Sequence, residues 1–216
     1  LDLDFEGLGF VVARYNEDLA WLPRLLERYP GSRCTVYNKG PPLIDNENRN
    51  DVKVTVKALP NVGRESHTYL RHVIDSYADA DADADADAVT VFLQGHPFDH
   101  CEGVELSESI DRAILKIMFS GSSYENVGTR VIPVVGGVPT HHLSIAGDLA
   151  RTHERVLGAE LPGEFSFSAG ALFAVAGECV RRRPLSFYEG AIALLDSEIN
   201  PVEGFCFERL WSLIFV

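Results

Sequence analysis

The stretch Val89-Thr-Val-Phe-Leu-Gln94 is the strongest strand signal in the chain. Up to Leu93 its residues are β-branched, aromatic or aliphatic, which is typical of a strand buried on both faces of a parallel sheet. The polar run Gly95-His-Pro-Phe-Asp-His100 follows without a break. Ligands of open α/β sheets bind at the carboxyl ends of the strands, so this junction predicts a site as well as a fold class.

Strand and helix patterns alternate on the amino-terminal side of this stretch. Strands are predicted at residues 10–15 and 34–37, and the alternating valines of residues 52–56 predict a third. A helix capped by Asn16 follows the first strand, and a helix carrying the apolar positions of residues 67–77 follows the third. This order predicts an α/β fold with a Rossmann-like, mostly parallel sheet flanked by helices.

The carboxyl-terminal half continues the mixed pattern. Residues 131–135 are strand-like, and Pro133 predicts that this strand lies at a sheet edge. Residues 165–175 are apolar and broken by glycine, as in a strand that passes close to another group. Helical spacing predicts helices at 106–117, 145–157, 187–195 and 203–215. One α/β domain over residues 1–216 is predicted.

Residues 78–88 form a strict Ala-Asp alternation. On a strand the carboxylates at i, i+2 and i+4 would share one face, as in a metal-binding tract. Mutual repulsion and low complexity favour a solvated acidic insertion instead, before the strand at residue 89.

Composition limits the classes of function. The chain has 216 residues, a formal net charge of −13 and 46% hydrophobic residues, so it can bury a core but repels a phosphate backbone. Nucleic acid is therefore not an expected partner. The four cysteines form no CxxC pair, and no apolar run reaches a membrane span. Because the sequence starts at Leu1 and has one methionine, we expect an excised domain; whether a signal or anchor lies upstream is left open, and so is localisation.

The first candidate binding segment is Tyr15-Asn-Glu17, at the end of the first strand. An amide and a carboxylate beside helix N–H groups can hold the base or ribose of a ligand. The alternative is a plain capped helix start.

The second segment is Asn61-Val-Gly-Arg-Glu-Ser-His67, where Asn61, Gly63, Arg64, Glu65 and His67 are the candidate substrate-binding residues. Gly63 permits a tight turn, and the planar guanidinium of Arg64 suits a phosphate or carboxylate. Glu65 can orient Arg64. The alternative is a turn with a surface ion pair.

The third segment begins at Gln94, a candidate substrate-binding residue, and ends at Asp99 and His100. Asp99 and His100 can ligate a divalent metal such as Mn²⁺ or Mg²⁺, with His96 nearby, or His100 can act as a base. The alternative is a helix-capping aspartate with solvated histidines.

The fourth candidate is Glu208, which precedes Arg209 on an apolar helix. A carboxylate there is either half of a buried ion pair or a catalytic base. The chain has no P-loop, no GxSxG elbow and no GxGxxG, which disfavours P-loop NTPases, elbow-type serine hydrolases and classical dinucleotide enzymes.

These segments together resemble a known family. The sequence is similar to the domain-of-unknown-function family numbered 3431, found mainly in fungi and other eukaryotes. The resemblance covers nearly the whole chain, and the Ala-Asp tract departs from it as an insertion. The family brings no established activity. The motifs, in chain order, lie at residues 11–19, 36–40, 59–70, 91–100, 169–175 and 208–211.

A more distant resemblance links the layout to nucleotide-sugar glycosyltransferases of the GT-A fold. In those enzymes a Rossmann-like half binds the nucleotide, and an Asp-x-Asp motif at a strand end holds Mn²⁺ or Mg²⁺ on the diphosphate. This sequence has residues 94–100, ending in Asp99-His100, in place of that motif. The step from layout to activity is an analogy.

The resemblance implies roles for the candidate residues. Asn16 and Glu17 would bind the nucleotide, Arg64 would meet the diphosphate, and Asp99 with His100 would hold the metal. Glu208 or His100 would deprotonate an acceptor hydroxyl. Two alternatives stay open: a non-catalytic binding module of the same fold, and a transferase that uses a different activated donor.

Overall fold

The computed structural model describes residues 7–43, 53–78, 88–141 and 143–216. Nine strands occur in this part of the chain. They are β1 (Leu8–Arg14), β2 (Arg33–Asn38), β3 (Lys53–Ala58), β4 (Val89–Gln94), β5 (Tyr124–Asn126), β6 (Val131–Val135), β7 (Val138–Pro139), β8 (Glu164–Ser168) and β9 (Phe173–Ala176).

The same described part of the chain contains seven α-helices, of which the last three follow β9. They are α1 (Leu22–Leu26), α2 (Arg64–Ala78), α3 (Leu106–Ser120), α4 (Ala146–Leu157), α5 (Gly177–Arg181), α6 (Leu185–Ile192) and α7 (Val202–Phe215). Short 3₁₀ turns at Phe98–His100 and Leu143–Ile145 precede α3 and α4. The predicted helices in the carboxyl-terminal half are confirmed, with shifts of one to three residues at their ends.

The main sheet has six strands in the order β3-β2-β1-β4-β9-β5. Strands β1 to β4 are mutually parallel, and β9 runs antiparallel to β4 and β5. The mixed α/β fold with a mostly parallel, Rossmann-like sheet is thus confirmed. Because the chain moves outward from β1 to β3 and then returns to β4 on the other side of β1, the order reverses between β1 and β4.

Two helical layers cover the main sheet. On one face Phe10 packs on Tyr29, which follows α1, and the Tyr29 hydroxyl donates to Asp111 of α3. On the other face α2 and α7 bring Tyr69 and Trp211 onto Phe173 and neighbouring rings. These side chains are almost fully buried, and their tilted and edge-on contacts are those that aromatic rings favour.

A second, three-stranded sheet has the order β7-β6-β8. The prediction that Pro133 marks an edge strand is therefore wrong, since β6 lies in the middle. The Pro133 carbonyl accepts from the N–H of Thr140, so the side of Pro133 that lacks an N–H faces β7. β7 pairs only at Val138 and Pro139, so β6 loses no hydrogen bond to β8 at this position.

The predicted helix start at Asn16 is also wrong, because α1 begins at Leu22 with Pro23 in its first turn. The carboxylates just before it serve the loop instead. Glu17 accepts the N–H of Tyr15, and Asp18 accepts the N–H of Ala20. Local side-chain bonds of this kind compete with helix formation.

Three further predictions concern the Ala-Asp insertion, the number of domains and a membrane span. The Ala-Asp insertion at 78–88 lies almost wholly outside them, and the single domain over residues 1–216 stays a prediction. Among the residues described, no helix is long and apolar enough to cross a membrane.

Candidate functional site

The side chain of buried Arg14 joins the loops at the carboxyl ends of β1 and β2. Its Nη1 donates to Asn38 Oδ1 at 2.6 Å and to the Pro41 carbonyl at 2.9 Å. Its Nε donates to the Glu17 carbonyl at 3.0 Å. These charge-assisted bonds fix the strand ends relative to one another.

The loops after β1 and β4 touch where the strand order reverses. Glu17 Oε2 accepts the N–H of Tyr15 at 2.7 Å and lies 2.6 Å from where a Cβ on Gly95 would be. A Cβ at this position would force the Glu17 side chain to shift. Tyr15 and Asn16 are exposed, while Gln94 is half-buried at the end of β4 opposite Ala13. The predicted binding residues of the two loops therefore surround the switch point.

A strained turn leads into α2. Gly63 has φ +63° and Arg64 has φ +53°, a conformation that costs a side-chain-bearing residue free energy. The Gly63 N–H donates to the backbone carbonyl of Glu198 at 2.8 Å. The Nζ of Lys39 donates to the carbonyls of Val62 and Arg64, at 2.5 Å each. The tight turn predicted at Gly63 is confirmed, and Lys39 clamps it.

The side chain of Arg64 lies against α7. Its Cδ is 3.0 Å from where a Cβ on Gly204 would be, and its Cζ is 4.2 Å from the centre of the Phe205 ring. Its Nε is 3.6 Å from Glu65 Oε2 and has no hydrogen-bond partner among the described residues. The guanidinium is thus held by packing and by its ion pair with Glu65, while 29% of the side chain is exposed.

Glu65 is a buried carboxylate beside two charges of opposite sign. Burial raises its pKa, Arg64 opposes the shift, and Glu208 adds to it. Within the described chain the hydroxyl of buried Tyr69 has no hydrogen-bond partner, and burial followed by the fields of Glu65 and Glu208 raises its pKa. A buried carboxyl with a raised pKa is typical of proton-transfer sites.

Glu208 is held at both of its carboxylate oxygens. Oε1 accepts the N–H of Gly170 at 2.6 Å, and Oε2 accepts from Arg209 Nη1 at 3.1 Å. The side chain of Arg209 is only 1% exposed, and its Cζ lies 4.8 Å from the centre of the Phe167 ring. The buried ion pair considered for Glu208 is present, and the same contacts would fix a catalytic carboxylate.

His100 reaches the same place through Gly170. Gly170 has φ +89°, and a Cβ on it would collide with the His100 ring. The next residue, Ala171, is strained as well, at φ +51°. The imidazole therefore packs on the turn whose N–H donates to Glu208. Strain in non-glycine residues on two sides of one cluster is typical of functional sites.

Asp99, predicted as a metal ligand, lies apart from this centre. Its side chain is 76% exposed, and its Oδ1 is 3.5 Å from His96 Nε2. The described residues contain no group of three or more His, Cys, Asp or Glu side chains that could hold a metal ion. The predicted binding of Mn²⁺ or Mg²⁺ by Asp99 and His100 stays a prediction.

The remaining predicted residues surround the turn at Arg64. His67 is buried with Nε2 3.0 Å from Asp196 Oδ1, and burial together with the charge of Lys39 lowers its pKa to about 4. Its imidazole is therefore neutral near pH 7. Asn61 is half-buried in the turn itself.

Five charged residues meet here, and we call them the strand-end cluster: Lys39, Arg64, Glu65, Glu208 and Arg209. Sequence reasoning missed Lys39 as a site residue, although it directly follows β2 and the rule of strand carboxyl ends applies to it. Burial lowers its pKa to about 8. Tyr69 was also missed, because a tyrosine at helical spacing resembles any core residue.

Comparison with protein-family models and with curated proteins finds no match to this chain. The resemblance to the family numbered 3431 stays a prediction, and so does the more distant resemblance to GT-A enzymes. The function is therefore argued from the site.

Proposed function

We propose that this chain is a glycosyltransferase-like enzyme of GT-A type, which transfers a group from a nucleotide-activated donor to an acceptor hydroxyl. The parallel sheet with its switch point between β1 and β4 supports the donor-binding half. Tyr15, Asn16 and Glu17 stand at that point and would contact the nucleoside.

The diphosphate of the donor would bind at Arg64. The Arg64 side chain is 29% exposed, and Lys39 adds a second positive charge beside the turn. Two cations at this position would stabilise the negative charge that grows on the leaving diphosphate.

The transfer step needs a base near the acceptor. The acceptor oxygen attacks the anomeric carbon of the donor, the bond from that carbon to the phosphate oxygen breaks, and its electron pair leaves with the diphosphate. The proton of the acceptor hydroxyl passes to Glu208 or to His100. Both groups contact Gly170, so either could serve one acceptor position.

One observation carries the proposal: the cation suited to the leaving group and the carboxylate suited to the acceptor share one short stretch of α7. Arg64 packs on Gly204 and Phe205, and Glu208 lies one turn further along. A nucleophile and a leaving group must be held on the same reacting carbon, and this spacing allows it.

The test is calorimetric titration of the protein with UDP and with GDP, each with and without Mn²⁺. We expect micromolar to millimolar binding of at least one nucleotide, and weaker binding by the Arg64→Gln variant. Arg28→Gln is the matched control, since Arg28 is an exposed arginine that pairs with Asp111. If neither nucleotide binds under either condition, the nucleotide-donor proposal fails, and consumption of another activated donor would favour a transferase that uses that donor.

The exposure of Asp99 favours a second candidate, a ligand-binding module of the same fold without catalysis. Its carboxylate pairs with His96 rather than with other potential metal ligands. This candidate expects Asp99→Ala to bind nucleotide like the native protein, with no turnover of any donor. Turnover that Asp99→Ala abolishes would exclude it.

A further inference from the structure

Three aromatic rings lie together beside the loop after β4. Phe98 packs edge-to-face on Trp21, with ring centres 5.6 Å apart, and on His96 at 5.3 Å. We call these three residues the aromatic rim. The indole Nε1 of Trp21 donates to the Gly95 carbonyl at 3.0 Å, which attaches the rim to the loop after β4.

Phe98 is held in place without being buried. Rings contact it on two sides, yet 43% of it is exposed. An apolar ring that is fixed and open to solvent offers a stacking surface at little entropic cost, because binding a ligand need not order it.

The rim stands next to the candidate base. Phe98 and His100 belong to one 3₁₀ turn, in which successive side chains point about 120° apart. Phe98 turns towards Trp21, while the His100 ring packs on Gly170 beside Glu208. A molecule stacked on Phe98 would therefore lie beside the turn that carries His100.

The polar groups around Phe98 suit a sugar. Asp99 follows Phe98 in the turn with 76% of its side chain exposed, and its Oδ1 lies 3.5 Å from His96 Nε2. Carboxylate oxygens accept hydrogen bonds from several hydroxyls, while the C–H face of a pyranose packs on an aromatic ring.

We propose that the aromatic rim binds the acceptor, and that the acceptor is a carbohydrate whose ring stacks on Phe98. This inference rests on the proposed function, because the neighbouring base is assigned there. It adds the chemical class of the acceptor and the residue that selects it.

The test uses saturation-transfer NMR with the methyl glycosides of glucose, galactose and mannose as probes. We expect native protein to bind at least one of them, and Phe98→Ala and Phe98→Leu to weaken that binding at least about 3-fold, the size expected for the loss of one ring contact. Phe98→Tyr keeps the ring and should bind like native protein.

Two controls separate this proposal from the one on which it rests. Phe119→Ala removes another exposed phenylalanine, 68% exposed on α3, and should bind the glycosides like native protein. UDP and GDP affinities should be the same in all these variants. The acceptor proposal is overturned if no glycoside binds, if Phe98→Ala binds as tightly as native protein, or if Phe98→Ala weakens nucleotide binding instead. If native protein binds a glycoside through Phe98 but binds no nucleotide, the donor proposal is overturned and the carbohydrate site stands.

Discussion

Two polar clusters border α2, and they differ in how their groups are paired. The strand-end cluster adjoins the first turn of the helix, while Tyr37, Lys57, His72 and Asp75 form a second group, the helix-flank cluster. In the latter the Tyr37 hydroxyl contacts His72 Nδ1 at 3.3 Å and donates to Asp75 at 3.2 Å, and Lys57 pairs with the same carboxylate at 3.0 Å.

The strand-end cluster instead keeps two buried polar atoms without hydrogen-bond partners in the described part of the chain, Arg64 Nε and Arg209 Nε, and the adjoining Tyr69 hydroxyl lacks a partner as well. Its member Arg64 and the nearby Ala171 both have a strained positive φ. Buried polar groups are normally satisfied, because each one left unpaired costs free energy. Under the proposed function the strand-end cluster binds the ligand, whereas the groups of the helix-flank cluster are paired with one another and have a structural role only.

The largest expected effect is on stability at Arg209. Replacing it with leucine leaves the carboxylate of Glu208 without its buried cation, which should cost about 3–5 kcal/mol of unfolding free energy. Lys57→Met in the helix-flank cluster removes a partly exposed partner of Asp75 and should cost at most about 1 kcal/mol. Urea unfolding of both variants measures the difference, and equal losses would contradict the contrast between the clusters.

Stability should fall in acid because of His72. Burial lowers its pKa to about 4 from an ordinary 6.5, so the unfolded chain takes up the proton first. Stability is therefore lost as pH falls from about 6.5 to about 4, by about 3 kcal/mol. In the His72→Gln variant the free energy of unfolding should therefore depend less on pH between about 6.5 and 4. The remaining dependence comes from His67, whose pKa is lowered in the same way. An unchanged slope in the variant would refute this origin.

Glu208→Gln tests the base. Under the proposed function it should lower the transfer rate at least about 100-fold, because the amide cannot take the proton of the acceptor. His100→Gln identifies the base if Glu208→Gln retains activity. Asp75→Asn, in the helix-flank cluster, should leave the rate unchanged, and circular dichroism checks that each variant folds. Full activity in both site variants would exclude this chemistry.

Lys39→Met should weaken nucleotide binding about 10-fold, the loss expected when a charge-assisted contact is removed. The Lys39 clamp also predicts a pH dependence. Its pKa of about 8 means that native protein loses this positive charge, and part of its affinity for an anion, as pH rises through 8. Lys39→Arg keeps the charge, so its affinity should stay level up to pH 9. Calorimetry at several pH values measures nucleotide affinity for native protein and for Lys39→Arg. If affinity depends on pH equally in both, Lys39 is not part of the binding site.

The fold was more predictable from sequence than the site. Residues 89–94 and the alternation before them were sufficient for the parallel sheet, because burial of a strand on both faces leaves a local pattern. The helix predicted to start at Asn16 does not form there, because the carboxylates of Glu17 and Asp18 bond to nearby backbone N–H groups and these bonds compete with the helix. Arg64 and Glu208 were identified as candidates, but their approach through Gly204 and Phe205 depends on how α7 packs, for which no local signal exists. Lys39 was missed because its partners are backbone carbonyls remote in sequence.

The central claim is that the strand-end cluster is the ligand site and the helix-flank cluster is not. The most direct measurement is an NMR titration of ¹⁵N-labelled protein with the nucleotide that calorimetry identifies. We predict the largest amide shifts at Glu65, Gly170 and Glu208, with none beyond background at His72 and Asp75. Shifts concentrated at the helix-flank cluster, or absent from Glu65, Gly170 and Glu208 at saturation, would contradict the claim.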